Sequence, residues 1–299
     1  MKKGFKSGFI ALLGRPNAGK STLLNKIIGQ KIAIISDKPQ TTRNKIIGVL
    51  TESNFQAVFL DTPGIHKPQD RLGKVMVGKA LNTLREVDLI YYLIDVSVPF
   101  GRGESFLLER LQKVETPVFL LLNKIDCLNK PDLLPLIDFY RQKKEWAEIV
   151  PLSALTGENV GSLLASTVAY LPEGPQYYPD DMVTDQPERI IVAELVREKI
   201  LEATREEIPH AVAVVVDLME QRAASLLYIS ATIFVERNSQ KAIIIGKNGQ
   251  MLKKIGSLAR SELEGILGSQ VFLELWVKVR ADWRQSKRSI RDFGYYDVD

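Results

Sequence analysis

The sequence has few of the residues that build disulfides and transition-metal sites. It contains one cysteine, Cys127, and two histidines, His66 and His210, among 299 residues. A single cysteine excludes an intramolecular disulfide framework and a zinc site built from thiolates. Two histidines are too few for an imidazole-based catalytic centre, so we expect chemistry that uses no transition metal.

Long apolar runs are also absent. No stretch reaches the ~18 consecutive apolar residues that a membrane-spanning helix needs, and the first residues, MKKGFK, lack the apolar region of a secretory signal. The chain is 45% hydrophobic with a net charge of +4. We therefore expect a soluble intracellular protein of about two domains, at roughly 150 residues per domain.

Residues 14–21 fit the pattern G-x-x-x-x-G-K-[ST], whose backbone N–H groups wrap nucleotide phosphates. Lys20 is expected to neutralise the outer phosphates, and the Ser21 hydroxyl to bind Mg²⁺. The phosphate-binding residues are predicted to be Gly14, Arg15, Pro16, Asn17, Ala18, Gly19, Lys20 and Ser21. This pattern predicts a nucleoside triphosphate but does not identify its base.

Two later segments predict that the base is guanine. Guanine presents two adjacent donors, and the Asp126 carboxylate can accept both, whereas adenine would leave it unpaired. Asn123 is expected to contact N7 and brace the neighbouring loops, and Ser153 and Ala154 to direct a backbone N–H at O6. The predicted guanine-binding residues are Asn123, Lys124, Ile125, Asp126, Ser153, Ala154 and Leu155. GTP and GDP are therefore the predicted nucleotides.

Residues 1–171 alternate short apolar runs with longer amphipathic stretches, which is typical of β-α-β units. The pattern predicts an α/β P-loop GTPase domain with a mostly parallel sheet flanked by helices. Each nucleotide motif follows a predicted strand, and ligands of such folds bind at the carboxyl ends of the strands. The motifs are therefore expected to form one site.

Two segments are predicted to be nucleotide-dependent switches. Residues 36–44 contain a threonine to bind Mg²⁺; we favour Thr42 over Thr41, although spacing does not decide between them. Residues 65–78 show little periodicity and are predicted to be mobile. They follow the segment of Asp61, Thr62, Pro63 and Gly64. There Asp61 is expected to hold Mg²⁺ through water, and the Gly64 N–H to reach the γ-phosphate.

Catalysis departs from the Ras-like pattern, in which a glutamine after this turn orients the attacking water. Ile65 occupies that position and has no polar group, so slow intrinsic hydrolysis is expected. Asn17 is a candidate for holding a monovalent cation such as K⁺ beside the phosphates. The residues expected to act in hydrolysis are Lys20, Thr42, Gly64 and Asn17.

A second domain, 188–299, is predicted after a proline-rich linker at 172–187. It combines a helix, alternating strands and a Gly-x-x-Gly loop between helices, which is typical of an α+β KH domain that binds single-stranded RNA. Basic residues cluster around this loop and along the last strand. The predicted RNA-binding residues are Gly246, Lys247, Asn248, Gly249, Lys241, Lys253, Lys254, Arg260, Lys278 and Arg280.

Over essentially its whole length the chain resembles the bacterial Era family of GTPases. The resemblance rests on the four nucleotide motifs, QTTR at 40–43, GKNG at 246–249 and ELWVKV at 274–279. Ala18 departs from the valine expected there, but that position contributes backbone only. The hydrophobic residue at 65 is a family trait, and potassium stimulation through the P-loop asparagine is known among relatives.

The resemblance implies a P-loop GTPase domain followed by a type II KH domain, with GTP/GDP and Mg²⁺ as ligands. It also implies binding to the 3′ end of small-subunit ribosomal RNA and to the 30S precursor, whose assembly the protein would assist. A cytoplasmic location with peripheral inner-membrane association would follow, and we expect a monomer.

Two alternatives differ in class. A GTPase of tRNA modification would need a C-terminal active cysteine, but Cys127 lies within the predicted GTPase domain. A membrane-associated signalling GTPase could use the basic C-terminal domain on anionic lipid. That alternative leaves the Gly-x-x-Gly loop unexplained.

Overall fold

The computed structural model describes residues 4–38, 41–65, 70–84, 86–223 and 225–295. Contacts divide the chain into two compact units. The first consists of Met1–Ala33, Thr42–Gln69 and Met76–Asp185; the second consists of Ile34–Thr41, Asp70–Val75 and Gln186–Asp299. Within the described residues, none of the helices combines the length and apolar character needed to cross a membrane.

The elements of the first unit alternate between strands and helices. They are β1 (Lys6–Gly14), α1 (Lys20–Ile28), β2 (Ile46–Thr51), β3 (Phe55–Asp61), α2 (Arg71–Thr83), β4 (Leu89–Asp95), α3 (Arg102–Leu111), β5 (Val118–Asn123), α4 (Lys130–Arg141), β6 (Glu148–Leu152) and α5 (Val160–Tyr170). Helix α2 is divided between the units: residues 71–75 belong to the second unit and the rest of the helix to the first.

The elements of the second unit follow a different order. They are α6 (Glu188–Ala203), α7 (Ile208–Ala211), β7 (Ala213–Ala223), β8 (Leu226–Val235), α8 (Asn238–Ile245), α9 (Gln250–Leu267), β9 (Gln270–Val279) and α10 (Lys287–Asp292).

The first unit contains a six-stranded sheet in the order β2-β3-β1-β4-β5-β6. β2 pairs with β3 in antiparallel orientation, and the other neighbours are parallel. Alternate residues of β1 enter two separate cores: Ile10 and Leu12 pack on one face, Ala11 and Leu13 on the other. Burial on both faces is characteristic of parallel sheets. Because β3, β1, β4, β5 and β6 run parallel, their carboxyl ends lie at one edge of the sheet, where ligands of such folds bind. The predicted α/β class is confirmed.

The proline-rich linker packs mainly against the first unit. Tyr177 contacts the Phe9 ring, with ring centroids 5.0 Å apart. The Gln56 side chain accepts hydrogen bonds from the backbone N–H groups of Tyr177 and Tyr178, at 2.7 and 3.0 Å. Residues up to Asp185 therefore group with the first unit rather than forming a free linker.

The prediction that residues 65–78 lack regular structure is wrong for their C-terminal part. Helix α2 begins at Arg71, and Leu72, Met76 and Ala80 form a fully buried stripe along it. These residues recur every four positions, which places them on one helical face. Glycines at 73 and 78 obscured this period in the sequence. Residues 66–69 lie outside the described residues.

The second unit is an α+β domain with a three-stranded sheet, β7-β8-β9. β7 pairs with β8 in antiparallel orientation, whereas β8 and β9 are parallel. One sheet face packs against the helices: Ile229 and Ile233 of β8 join Ile255, Ala259 and other residues of α9 in one core. The predicted second-domain class is therefore also confirmed.

A core substitution should destabilise the first unit far more than the same change at its surface. Leu121 lies in the core with no exposed surface, so Leu121→Ala should lower the free energy of unfolding by roughly 2–5 kcal/mol. Leu134 on α4 is 69% exposed, and Leu134→Ala should change it by less than about 0.5 kcal/mol. Chemical denaturation of both variants checks this difference. Equal destabilisation would contradict the assigned core.

Candidate functional site

The phosphate-binding loop joins β1 to α1 and ends at a residue that requires glycine. Gly19 has φ +95°, a conformation that side chains rarely adopt. Lys20 begins α1 and is buried, with its Nζ donating to the backbone oxygens of Arg15 at 3.1 Å and Gly14 at 3.4 Å. Burial lowers the pKa of Lys20, and the nearby Asp61 carboxylate opposes that shift. The loop thus holds a buried ammonium group beside its own backbone.

Arg15 of this loop is tied to α3 by a residue that sequence reasoning missed. Its Nη1 donates to both carboxylate oxygens of Glu104, at 2.7 and 2.9 Å. The same carboxylate accepts the Gly101 N–H at 3.0 Å, which caps the start of α3. Glu104 was detectable in the sequence as an acidic residue in the first turn of an amphipathic helix.

Three oxygen-bearing side chains converge beside Lys20. The Ser21 hydroxyl lies 2.7 Å from Asp61 Oδ2 and 2.9 Å from the Thr42 hydroxyl. Thr42 Oγ1 also donates to Asp61 Oδ2 at 3.4 Å. By contrast, the Thr41 hydroxyl donates to the backbone oxygen of Lys38 at 2.6 Å. Of the two candidate threonines, Thr42 is the one whose hydroxyl lies with Ser21 and Asp61.

These three groups fit a magnesium ion. Asp61 is fully buried, and its second carboxylate oxygen, Oδ1, has no hydrogen-bond partner among the described residues. Burial raises the pKa of Asp61, while Lys20, Ser21 and Thr42 act in the opposite direction. A carboxylate oxygen with two hydroxyls is the hard donor set that Mg²⁺ takes, usually together with waters and phosphate oxygens. When bound, Mg²⁺ would neutralise charge on the phosphates.

The segment after Asp61 runs against the phosphate-binding loop. Thr62 donates from its hydroxyl to the Leu12 backbone oxygen at 2.7 Å, and the Ile65 N–H donates to the Gly14 oxygen at 3.1 Å. A Cβ added at Gly64 would lie 2.7 Å from Pro16, so this close approach needs glycine. The Ile65 side chain is buried in the core. The side chain at position 65 is therefore both apolar and shielded from solvent.

Asn123 connects the phosphate loop to the loop after β6. Its Nδ2 donates to the Ala18 oxygen at 2.8 Å, and its Oδ1 accepts the Ala154 N–H at 2.9 Å. Asn123 is buried, so neither bond competes with water. One side chain thereby fixes the relative positions of two predicted nucleotide-binding loops.

Asp126 lies in a short helical turn at Ile125–Cys127, and Lys124 immediately precedes that turn. A hydrogen bond from the Ser153 side chain lowers the pKa of the Asp126 carboxyl, keeping it ionised as an acceptor. The Lys124 ammonium pairs with Asp95 at the end of β4. Asp95 was not predicted, although its place at the carboxyl end of a buried strand was a usable signal. Leu155 is exposed beside Ala154.

Asn17 lies at the exposed tip of the phosphate loop with φ +64°. Of the two predicted switch segments, Pro39, Gln40 and residues 66–69 lie outside the described residues. The remaining predicted nucleotide residues, including Pro63 and Ile125, lie within the described parts of the loops that carry the motifs.

In the second unit, the Gly-x-x-Gly loop joins α8 to α9. Gly246 and Gly249 both have positive φ, +72° and +75°, and Asn248 has φ +52°. Lys247 and Asn248 form the loop's centre, and Gly249 is the N-cap of α9. The first N–H groups of an eighteen-residue helix therefore face the loop, an arrangement that favours anions.

A groove of about 500 Å³ runs from this loop between α9 and the edge strand β9. Lys253 and Arg260 give it positive charge on the helix side, and Gly256 leaves space between them. Apolar residues of β9 line the other side: Val271, Phe272, Leu273 and Leu275. A narrow basic groove with an apolar wall suits a single strand of nucleic acid.

The other predicted RNA-binding residues have different surroundings. Lys241 on α8 and Lys254 on α9 lie on the helices that flank the loop but do not line the groove. Lys278 is exposed on β9. Arg280 forms an ion pair with Asp292 at 2.8 Å, so part of its charge is neutralised within the domain.

Comparison with known proteins matches both units. The family model for a 50S ribosome-binding GTPase matches residues 9–124, and the KH domain model matches residues 207–284. Among solved structures, an Era protein in complex with MgGDPNP and nucleotides 1506–1542 of 16S ribosomal RNA is 46% identical. The match covers 98% of this chain and 99% of that one, with a TM-score of 0.94.

A second solved structure is similar to the same degree. It is a variant of Aquifex aeolicus Era with one tyrosine replaced by alanine, bound to GDP·AlF₄⁻. It is 45% identical, and the match covers 98% of this chain and 100% of that chain with a TM-score of 0.94. Both similarities extend over both units, and both relatives are bound to guanine nucleotides or analogues. The chain therefore belongs to the Era family of GTPases with a C-terminal KH domain.

Proposed function

We propose that this GTPase binds the 3′ end of 16S ribosomal RNA and assists assembly of the small ribosomal subunit, with GTP favouring RNA binding and hydrolysis releasing it. One observation carries the proposal: a guanine-nucleotide site and a basic groove beside a Gly-x-x-Gly loop occur on one chain. Its relative with 46% identity is bound to MgGDPNP and to nucleotides 1506–1542 of that RNA.

The proposed nucleotide contacts follow from the chemistry of the loops. Lys20 neutralises the outer phosphates, and Asp126 accepts the two guanine donors. Ser21 and Thr42 would bind Mg²⁺ directly and Asp61 would hold it through water; the 2.7 and 2.9 Å separations support the placing of all three groups around one ion. The Gly64 N–H donates a hydrogen bond to the γ-phosphate.

Hydrolysis is proposed to proceed without a water-orienting side chain at position 65. The buried Ile65 is apolar, so the remaining assistance comes from positive charge and backbone donors around the phosphates. Asn17 is the proposed ligand of a K⁺ ion beside them, and its exposure at the loop tip supports access to that cation.

RNA is proposed to lie in the groove beside α9. Its backbone would approach the Gly-x-x-Gly loop, where Gly249 has open space around it, and Lys253 and Arg260 would meet phosphates. Lys241, Lys247 and Lys254 add charge near the loop. Because Arg280 is paired with Asp292, we assign it a smaller share of RNA binding than these lysines.

Peripheral membrane association stays a prediction from the family resemblance. If it occurs, exposed basic residues of the second unit would be the groups to contact anionic lipid. Those residues are the ones proposed above to meet RNA, so we rank lipid below RNA as their ligand.

Replacing the proposed guanine acceptor should change base preference. Asp126→Asn puts an amide where two donors must be accepted, so GTP affinity should fall by at least about 2 kcal/mol. Xanthosine triphosphate, with a carbonyl at position 2, should recover binding. Asp132→Asn makes the same change at an exposed carboxylate of α4 and should leave GTP affinity unchanged. Titrations with GTP and with xanthosine triphosphate measure these affinities, and unchanged GTP affinity in Asp126→Asn would refute the assignment.

The cation role of Asn17 predicts faster GTP turnover in potassium chloride than in sodium chloride at equal ionic strength. Asn17→Gly should erase the difference, and glycine tolerates the φ of +64° at this position. The control is Asn159→Gly, since Asn159 also has positive φ, +62°. Phosphate release assays compare the rates. Equal rates of the unmutated protein in the two salts would contradict the cation role.

A carboxylate in the Gly-x-x-Gly loop should repel RNA phosphates. Gly249 has φ +75°, a conformation that strains any side chain, but nothing lies within 4 Å of an added Cβ. Gly249→Asp should therefore cost roughly 1–2 kcal/mol of stability through backbone strain, and it should lose RNA binding while GTP binding persists. Gly268→Asp is the matched control at the other end of α9, where φ is +62° and the space is equally open. Equilibrium binding to nucleotides 1506–1542 of 16S ribosomal RNA is the assay.

The same assay distinguishes charge from loop geometry. Replacing Lys253 and Lys254 by alanine should weaken RNA binding and flatten its dependence on salt, because fewer counterions are released. RNA binding that survives Gly249→Asp and is insensitive to these lysines would rule out the groove as the RNA site.

A further inference from the structure

The sheet of the second unit has a second face, away from the helices. Ile229 and Ile233 of β8 and Val271 and Val277 of β9 enter the core. Leu273 and Leu275 of β9 also pack against this core. The residues that alternate with these core positions point to the opposite side, because successive side chains of a strand alternate. We call Tyr228, Phe272, Glu274 and Trp276 the open sheet face.

Two aromatic side chains on the open sheet face are strongly exposed. Phe272 is 57% and Trp276 54% exposed. At one end of the same side of the sheet, Phe293 stacks on Phe234 with ring centroids 4.5 Å apart. Phe293 thus covers the Phe234 ring at that end, whereas the rings of Phe272 and Trp276 stay exposed to solvent. Two exposed aromatic rings on the same face of one strand, on either side of Glu274, mark a surface for a ligand.

The chemistry around these rings suits nucleic acid bases. The Phe272 and Tyr228 rings stack, with centroids 5.8 Å apart, and the Arg222 guanidinium lies 3.5 Å from the centre of the Tyr228 ring. Glu274, which accepts the Tyr228 hydroxyl at 2.6 Å, offers carboxylate oxygens between the rings. Carboxylates accept hydrogen bonds from amino groups of bases. Lys278 continues the strand and adds a positive charge for the backbone.

The open sheet face is continuous with the RNA groove. Phe272 belongs to both, since it lies among the groove's lining residues and its ring stacks on Tyr228. A KH groove holds about four nucleotides, so a longer RNA must leave it. A strand that leaves across the edge strand β9 meets the open sheet face next.

We propose that the open sheet face is a second RNA-binding surface, on which bases beyond those in the groove stack against Phe272 and Trp276. This inference rests on the proposed function and adds a site to it. Base stacking on exposed aromatics is tolerant of sequence and contributes affinity without phosphate contacts. The surface therefore lengthens the RNA segment that the domain holds.

Trp276 allows a direct test with nucleotides 1506–1542 of 16S ribosomal RNA as the probe. Trp276→Ala should weaken binding about fivefold or more, and Trp276→Phe should restore most of the affinity because a ring remains. The slope of affinity against salt should not change, since no phosphate contact is lost. Ile266→Ala is the control, because Ile266 is 40% exposed on α9 and belongs neither to the groove lining nor to the open sheet face.

Fluorescence gives an independent readout in the same titration. Of the three tryptophans, Trp283 is fully buried and Trp146 packs, partly buried, against a core of the first unit, whereas Trp276 is more than half exposed. RNA should therefore quench an emission that Trp276→Phe removes. Unchanged affinity of Trp276→Ala together with unquenched emission overturns the inference. If that variant binds RNA normally but no longer associates with small-subunit particles, the surface binds protein instead, which also overturns it.

The design separates this inference from the proposed function. If the unmutated protein fails to bind the RNA, the proposed function fails and this inference with it. If the unmutated protein and Trp276→Ala bind equally while Gly249→Asp does not, the groove stands and only the second surface is rejected.

Discussion

The buried Asn123 amide is the interaction on which the nucleotide site depends. It donates to the phosphate loop at Ala18 and accepts from the loop after β6 at Ala154. Only a side chain with both a donor and an acceptor can make this bridge, because aspartate would lose the donor. In a buried position each bond is costly to leave unmade. Asn123, at the end of β5, therefore links the loop predicted to bind the phosphates to the loop predicted to bind the base.

Around this bridge, the site has buried charged groups, and an apolar residue stands at position 65, where Ras-like GTPases have a glutamine. Lys20 and Asp61 are buried together, and each opposes the pKa shift that burial causes in the other. Ile65 contributes to the core and to a backbone hydrogen bond with Gly14. We expect slow hydrolysis from such a site, and a slow GTPase would suit the proposed function, in which the GTP-bound state lasts while RNA is bound.

The fold of the first unit and the place of its nucleotide motifs were predictable from the sequence, because each motif directly follows a strand with a clear apolar run. Sequence spacing did not decide whether Thr41 or Thr42 binds Mg²⁺, because the two residues are neighbours. The hydrogen bonds of the Thr42 hydroxyl with Ser21 and Asp61 distinguish them. Two glycines obscured the helical period of α2. The sequence also did not indicate that Glu104 pairs with Arg15 or that Asp95 pairs with Lys124. Those pairs join residues far apart in the chain, so no local pattern encodes them.

The central claim is that guanine nucleotide controls RNA affinity. Its most direct test is the dissociation constant for nucleotides 1506–1542 of 16S ribosomal RNA, measured with GDP and with a non-hydrolysable GTP analogue. We expect tighter binding with the analogue, by roughly 5–150-fold, and RNA should tighten analogue binding by the same factor. Identical RNA affinities in the two states would contradict the claim, leaving a GTPase and an RNA-binding domain without coupling.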